Sequence, residues 1–227
     1  MSGRQFTAVE VFAGGGGLAV GLREAGFRTV AAVELEPHAA ATFKANHPTV
    51  QVFRQDVRTV HGSMIMPLAG GRVDALAACP PCQGFSSLTS KWRKDDPRNS
   101  LVAEVGRLAA ELRPRAIMVE NVPGLAQKGR PLFDALLYQL HDLGYVTNWG
   151  VLQVADFGVP QRRRRLVLLA GLGFHIGMPS ATHSRTGANG LPKWRTVRDA
   201  ISGLSEPVTF TEAKEQGGAQ AVDWHVV

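Results

Sequence analysis

The stretch Ala8–Phe12 is short and mostly apolar, and it breaks into four consecutive glycines, Gly14 to Gly17, before a helical pattern opens at Leu18. A strand, a glycine turn and a helix in that order make the first part of a βαβ unit, so this stretch predicts a parallel sheet with crossover helices. The alternation continues along the chain. Strand-like runs follow at Val30–Val33, Val50–Phe53, Val73–Ala77, Ala116–Val119, Val146–Leu152 and Arg165–Ala170. Helical patterns occupy Leu18–Ala25, Pro37–Asn46, Ser100–Leu112 and Pro131–Leu143. In the last, Leu132, Leu136, Leu137 and Leu140 recur at helical spacing, and Gly144 follows as a stop. The expected fold is α/β, a doubly wound, mostly parallel sheet covered on both faces. No internal repeat is visible.

Each early strand runs into residues able to bind or react. The first leads to the glycines, the second to Glu34 and the third to Asp56. The fourth leads to Cys79-Pro80-Pro81-Cys82, and the fifth to Glu120-Asn121. In an open α/β sheet, ligands bind beyond the carboxyl ends of the strands, so five such ends predict one polar cleft.

Composition narrows the classes. With 227 residues and 44% hydrophobic content there is material for one sizeable core. The chain has neither an eighteen-residue apolar run nor the apolar segment of a signal peptide at its N-terminus, which points away from a membrane span and from secretion. Two cysteines make no disulfide scaffold, so a cytoplasmic location is expected. Residues 204–227 carry a net −3, leaving +9 on residues 1–203, and 19 of the 25 cations are arginine. Arginine's planar fork suits phosphates and base edges, so a polyanionic partner competes with a merely solvated basic surface.

The glycine turn allows backbone N–H groups to approach a ligand closely. Glu34 stands 20 residues beyond Gly14, the spacing at which a second-strand carboxylate meets ribose hydroxyls. Together these indicate an adenosine-containing cofactor, and leave open whether it is a nicotinamide dinucleotide or S-adenosylmethionine. The Cys79–Cys82 spacing resembles a redox pair, but two prolines and the following Gln83-Gly84-Phe85-Ser86 describe a stiff turn rather than a helix start. No second Cys/His pair stands at metal-ligand spacing, so no metal is expected. What remains is one nucleophilic thiolate near Lys91, Arg93, Lys94 and Arg98, or a small buried hydrophobe.

Four segments in order, Phe12-Ala13-Gly14-Gly15-Gly16-Gly17-Leu18, Pro81-Cys82-Gln83, Glu120-Asn121-Val122 and Gln161-Arg162-Arg163-Arg164-Arg165, closely resemble the motifs of the cytosine-5 DNA methyltransferases. The resemblance runs over roughly residues 7–203. It implies a Rossmann-like, S-adenosylmethionine-dependent methyltransferase fold, with S-adenosylhomocysteine as product and no metal. It further implies that Cys82 is the nucleophile, that Glu120 binds the cytosine ring, and that Arg163 and Arg165 brace the base. Phe12, Gly14, Gly16, Gly17, Leu18, Glu34, Asp56 and Pro80 match cofactor-binding positions, with Leu101 a looser match. Gln83, Ser86, Arg163 and Arg165 would meet the nucleic acid. Period-2 alternation into the last strand would turn Arg163 and Arg165 to the cleft and Arg162 and Arg164 to solvent or phosphate.

The implied reaction is methyl transfer from S-adenosylmethionine to carbon 5 of a flipped-out cytosine in double-stranded DNA, in a restriction-modification setting. The family continues into a target-recognition region and two further motifs that these 227 residues do not contain. Residues 1–203 are therefore expected to be the catalytic and cofactor-binding domain, and 204–227 the start of a connection to that region. Such a chain would be incomplete alone, either a fragment or one subunit of a split enzyme whose second chain reads the target. Alternatives are a tRNA cytosine-5 methyltransferase and a non-catalytic DNA-binding subunit. A nicotinamide oxidoreductase would leave Cys82, Glu120 and the arginine run without a task.

Overall fold

A computed structural model describes residues 5–81 and 100–204, and in it seven strands form one sheet. The strands are β1 (Phe6–Val11), β2 (Phe27–Val33), β3 (Gln51–Phe53), β4 (Ala75–Ala78), β5 (Ala116–Asn121), β6 (Tyr145–Gln153) and β7 (Arg164–Leu172). Their spatial order is β3-β2-β1-β4-β5-β7-β6. The pairs β2–β3, β1–β2, β1–β4 and β4–β5 are parallel, while β7 runs antiparallel to both β5 and β6. This is the doubly wound, mostly parallel sheet expected from the alternation. Its order reverses between β1 and β4, where the chain's winding changes direction and a crevice opens.

The helices are α1 (Gly17–Glu24), α2 (Pro37–Asn46), α3 (Gly62–Ile65), α4 (Val102–Leu112), α5 (Arg130–Asp142) and α6 (Val197–Ile201). The four long helical patterns lie where expected to within two residues, which is the usual fraying of element ends. The four-residue α3 and five-residue α6 carry too few turns for periodicity to show them. In α4, Val102, Val105, Leu108, Ala109 and Leu112 form one buried stripe. In α5 the fully buried positions are Phe133, Leu136 and Leu140. Where these two helices face each other, the Gln139 carboxamide lies against Gly106, and a Cβ there would have to displace it. The core continues through Val9, Val11, Leu76, Ile117, Val119, Leu166 and Leu168 of the central strands. Truncating a buried Phe133 or Leu140 in such a core removes about 2–5 kcal/mol.

Cys82, Gln83 and Ser86 lie outside the described residues, as do Lys91, Arg93, Lys94, Arg98 and residues 205–227. Among the described residues, no helix is long and apolar enough to cross a membrane.

Candidate active site

The glycine turn forms because the chain must reverse between β1 and α1 through positive φ values. Phe12, Gly14 and Gly16 adopt φ 59°, 54° and 92°. Glycine takes this geometry freely, whereas Phe12 does so at a cost on the order of 1–3 kcal/mol, a strain that persists only where neighbours impose it. The neighbours are visible. His47, its ring tilted against that of Phe43, donates from Nε2 to the Gly16 carbonyl at 3.1 Å, and Asn46 Nδ2 donates to the Gly15 carbonyl at 3.4 Å. A Cβ on Gly16 would meet the His47 ring at 2.6 Å.

Glu34 follows β2 and closes the turn from the other side. Its Oε2 accepts from the Gly14 N–H and its Oε1 from the Glu36 N–H, each at 2.8 Å. Every carboxylate oxygen has about two acceptor directions, so each retains one for a ligand. Asp56 caps the turn Val57–Thr59. Its Oδ1 accepts from the Arg58 backbone N–H at 2.9 Å and from Arg58 Nε at 3.0 Å, and its Oδ2 from Arg58 Nη2 at 2.5 Å. The Arg58 side chain holds the Asp56 carboxyl down at about 2. Asp56 thus keeps its charge, with acceptor capacity left on Oδ2.

These groups border one cleft of about 610 Å³ at the switch point, a volume suited to a small-molecule cofactor. Phe12, Gly14, Glu34, Asp56 and Leu101 all line it, as do Cys79 and Pro81. Gly16, Gly17 and Leu18 form the turn and first residues of α1 beside it. An adenosyl group suits this donor set, with two carboxylates for hydroxyl and amine hydrogens, glycine backbone alongside, and apolar walls from Val33, Leu35 and Leu101.

Pro80 faces elsewhere. Its carbonyl accepts from the buried Asn121 Nδ2 at 3.0 Å, while Asn121 Oδ1 accepts from the Val122 N–H at 2.8 Å. Asn121 ends β5, so this bond fastens the last described residues before Cys82 to the strand that bears Glu120. Cys79, in the same loop, is a different kind of group. Burial, with the Glu120 and Glu10 carboxylates nearby, pushes its thiol up to about 12, against a smaller opposing effect of Arg165. It is a neutral thiol at physiological pH.

The antiparallel course of β7 places its first residues beside the last residues of β5. Glu120 pairs in register with Val167, so Arg165, two residues earlier, shares its face. Arg165 Nε and Glu120 Oε1 form an ion pair, and Arg165 Nη1 also donates to the Arg164 carbonyl at 2.9 Å. Burial raises the Glu120 pKa, and the Arg165 charge and hydrogen bond oppose it. A carboxyl so poised can share or hold a proton at a ring nitrogen while a fixed guanidinium offsets charge.

The strand begins at Arg164, so alternation does not reach Arg163. Arg163 is exposed, with its backbone N–H donating to Gln153 Oε1 at 2.7 Å and its carbonyl accepting from the Val154 N–H at 2.8 Å. The structure brings Arg165 onto Glu120, while Arg163 and Arg164 are exposed.

One carboxylate was not singled out from the sequence. Glu10, in the middle of β1, is only 1% exposed and lies in register between Ala32 and Ala77. The Ala19 N–H donates to it, while its Oε2 has no partner among the described residues. Burial first, and Glu34 beyond it, push its pKa up to about 8, with the Ala19 bond opposing. The signal was available, a Glu inside an otherwise apolar strand.

Comparison with known proteins places the chain as a whole. Type II methyltransferase M.XorII of Xanthomonas oryzae pv. oryzae is 37% identical over 220 residues, covering 94% of this chain and 50% of that protein. M.AquIA of a Picosynechococcus strain, also named a type II methyltransferase, is 33% identical over 218 residues, covering 86% of this chain and 88% of that protein. The chain thus spans about half the length of M.XorII and most of M.AquIA. A crystal structure of a prophage-encoded Escherichia coli DNA modification methyltransferase superposes with TM-score 0.72 at 28% identity, over 89% of this chain and 56% of that one. S. pombe Dnmt2 methyltransferase matches at TM-score 0.69 and 20% identity, over 94% and 66% of the two chains, a likeness of fold. The description "C-5 cytosine-specific DNA methylase" matches residues 6–203, and the chain belongs to that family.

Proposed function

We propose that this chain is the catalytic half of an enzyme that transfers a methyl group from S-adenosylmethionine to carbon 5 of cytosine in DNA. The observation that carries the reading is the meeting of three parts at one sheet edge. The Glu120–Arg165 pair, the Asn121-anchored Pro80 and the cleft beside Glu34 all lie at the carboxyl ends of β1, β4 and β5. Bound in the cleft, S-adenosylmethionine supplies an electrophilic methyl group on a sulfonium sulfur. Glu34 would take its ribose hydroxyls, and Asp56, kept ionised and oriented by Arg58, its adenine amine. Phe12, Gly14 and Leu101 would flank it, with Gly16, Gly17 and Leu18 shaping the turn.

On the substrate side, the Cys82 thiolate adds to carbon 6 of an extruded cytosine, which makes carbon 5 nucleophilic. Glu120 stabilises the charge that develops on nitrogen 3, and Arg165 supplies fixed positive charge beside it. After carbon 5 is methylated it loses its proton to solvent, the carbon–sulfur bond breaks, and the thiolate is restored. Gln83, Ser86 and Arg163 would contact the nucleic acid. Residues 1–203 would form the catalytic and cofactor-binding domain, joined through 204–227 to a target-recognition region. The target would be read by that region, or by a second chain if the enzyme is split. The names of the relatives support a restriction-modification role.

The test is covalent trapping. Duplex DNA containing 5-fluorocytosine is mixed with S-adenosylmethionine, this chain and a complementing target-recognition chain. Fluorine blocks proton loss from carbon 5, so a working nucleophile stays attached to the base. The expected adduct maps to Cys82, disappears in Cys82→Ser and persists in Cys79→Ser. An adduct that survives Cys82→Ser, or none with the complement present, refutes the proposal.

A further inference from the structure

After β7 the chain runs back along the sheet edge and docks on the turn that precedes the arginine run. Asn148 Nδ2 on β6 first donates to the Ile176 carbonyl at 3.1 Å. Asp156 then receives three N–H donors from the returning segment. Its carbonyl accepts from Thr182 at 2.8 Å and from His183 at 2.9 Å, and its Oδ1 accepts from the Trp194 indole N–H at 2.8 Å. Ser184 and Trp194 close the segment on itself: the Ser184 N–H donates to the Pro192 carbonyl at 2.8 Å, and the Trp194 N–H to the Ser184 carbonyl at 2.9 Å. Gly158 admits the His183 ring, which a Cβ would meet at 2.8 Å. One residue between β6 and β7 thus fixes a segment that is 26 to 38 positions away in sequence.

Among the described residues the cations on these two stretches form no ion pair, although the Arg195 charge adds a little to the Thr196 hydrogen bonds that hold the Asp199 carboxyl low. Arg162, Arg163, Arg164, Arg185, Lys193 and Arg195 are all exposed, and among the described residues none forms an ion pair. The acids nearby are committed elsewhere. Asp156 holds the Trp194 indole, and Asp199 closes a capping box on Thr196 at the start of α6. A group of unpaired, mostly guanidinium cations held at fixed backbone positions suits a regularly spaced polyanion.

We propose that the returning segment, residues 182–195, together with Arg162–Arg164 forms one phosphate-binding ridge that seats the backbone of duplex DNA beside the Glu120–Arg165 pair. Asp156 is the positioning residue of that ridge. The inference rests on the DNA reading above and adds a contact surface outside the four motifs.

Fluorescence anisotropy of a labelled duplex, followed from about 50 to about 200 mM salt, reads the number of phosphates neutralised, because each contributes about 0.9 to the slope of log affinity against log salt. The triple variant Arg185→Gln/Lys193→Gln/Arg195→Gln should lower that slope by about 2 to 3 and weaken binding about tenfold or more near physiological salt. The control Arg23→Gln/Arg28→Gln, on α1 and at the amino end of β2, should leave the slope unchanged. Trp194→Phe keeps every charge but loses the bond to Asp156. It should weaken duplex binding several-fold while S-adenosylhomocysteine affinity stays native, a split that general destabilisation does not produce. Asp156→Asn, which retains Oδ1, should stay close to native. A triple variant with the native slope, or Trp194→Phe with native DNA affinity, overturns the ridge while leaving the methyltransferase reading in place. Absence of salt-dependent duplex binding by the native chain also overturns the ridge, while the methyltransferase reading stands or falls on the trapping assay with the complement present.

Discussion

Glu10→Gln is expected to reshape how the stability of this chain responds to pH. The carboxyl is 1% exposed in the middle of β1, and burial lifts its pKa from the ordinary 4.5 to about 8. Below pH 4.5 the folded and unfolded chains both hold the proton, and stability is at its full value. Between pH 4.5 and about 8 the unfolded chain releases the proton and the folded chain keeps it, so stability falls as pH rises. Above about 8 both are ionised and the loss levels off. At about 1.4 kcal/mol per pH unit, that gap amounts to roughly 5 kcal/mol, a large share of the 5–15 kcal/mol typical of a whole domain. Glutamine keeps an acceptor for the Ala19 N–H and cannot ionise. Urea unfolding of both proteins at about pH 5 and about pH 9 isolates the residue, since the raised pKa of Glu120 is common to both and the Cys79 thiol, raised chiefly by burial, stays protonated in both folded proteins. The variant should gain about 4 kcal/mol on the native chain between those two pH values. Parallel stability–pH curves for the two proteins would refute the assignment of a buried, protonated Glu10.

Two further outcomes follow from the site geometry. Glu34→Gln removes the charge that receives the Gly14 N–H and faces the cleft, so S-adenosylhomocysteine affinity by calorimetry should drop about tenfold to a hundredfold, the worth of a hydrogen bond to a charged group; native affinity contradicts the ribose assignment. Asn121→Ala frees the Pro80 carbonyl and should slow adduct formation in the trapping assay while leaving cofactor affinity near native, and Asn121→Asp should fail to restore the rate because a carboxylate cannot donate to a carbonyl.

The strands and long helices were legible because their signals are local. Val30–Val33 and Ala116–Val119 are β-branched and apolar, and α5 shows its leucine spacing directly. Glu34 and Asp56 were legible for the same reason, each standing immediately after such a run. Glu10 escaped because it sits inside a strand run, where its apolar neighbours dominate the reading and only three-dimensional burial reveals the carboxyl's cost. Asp156 and Trp194 escaped because 38 positions separate them, and neither residue type at either place marks the other as its partner. The small helices α3 and α6 hold about one turn each, too short for a period to be counted. For Arg163, the expected alternation carried the strand period back into the residues before Arg165–Ala170; β7 starts at Arg164, and the backbone bonds to Gln153 and Val154 hold Arg163 just before it.

The reversal of β7 is the feature on which the site's acid–base pair depends, and strand direction is not written in any single strand's pattern. A parallel β7 would put its amino end at the opposite edge of the sheet from the carboxyl end of β5. With Leu168 kept beside Val119, Arg165 would then sit beside Ala116, four residues or roughly 13 Å along the sheet from Glu120. The short connection from β6 forces the antiparallel course instead, since a parallel return needs a crossover of a dozen or more residues and only ten separate Gln153 from Arg164. Those ten residues hold both Asp156 and the first two arginines of the run. The same brevity that turns β7 around therefore places the guanidinium on the glutamate and sets the remaining arginines along the sheet edge that the returning segment flanks.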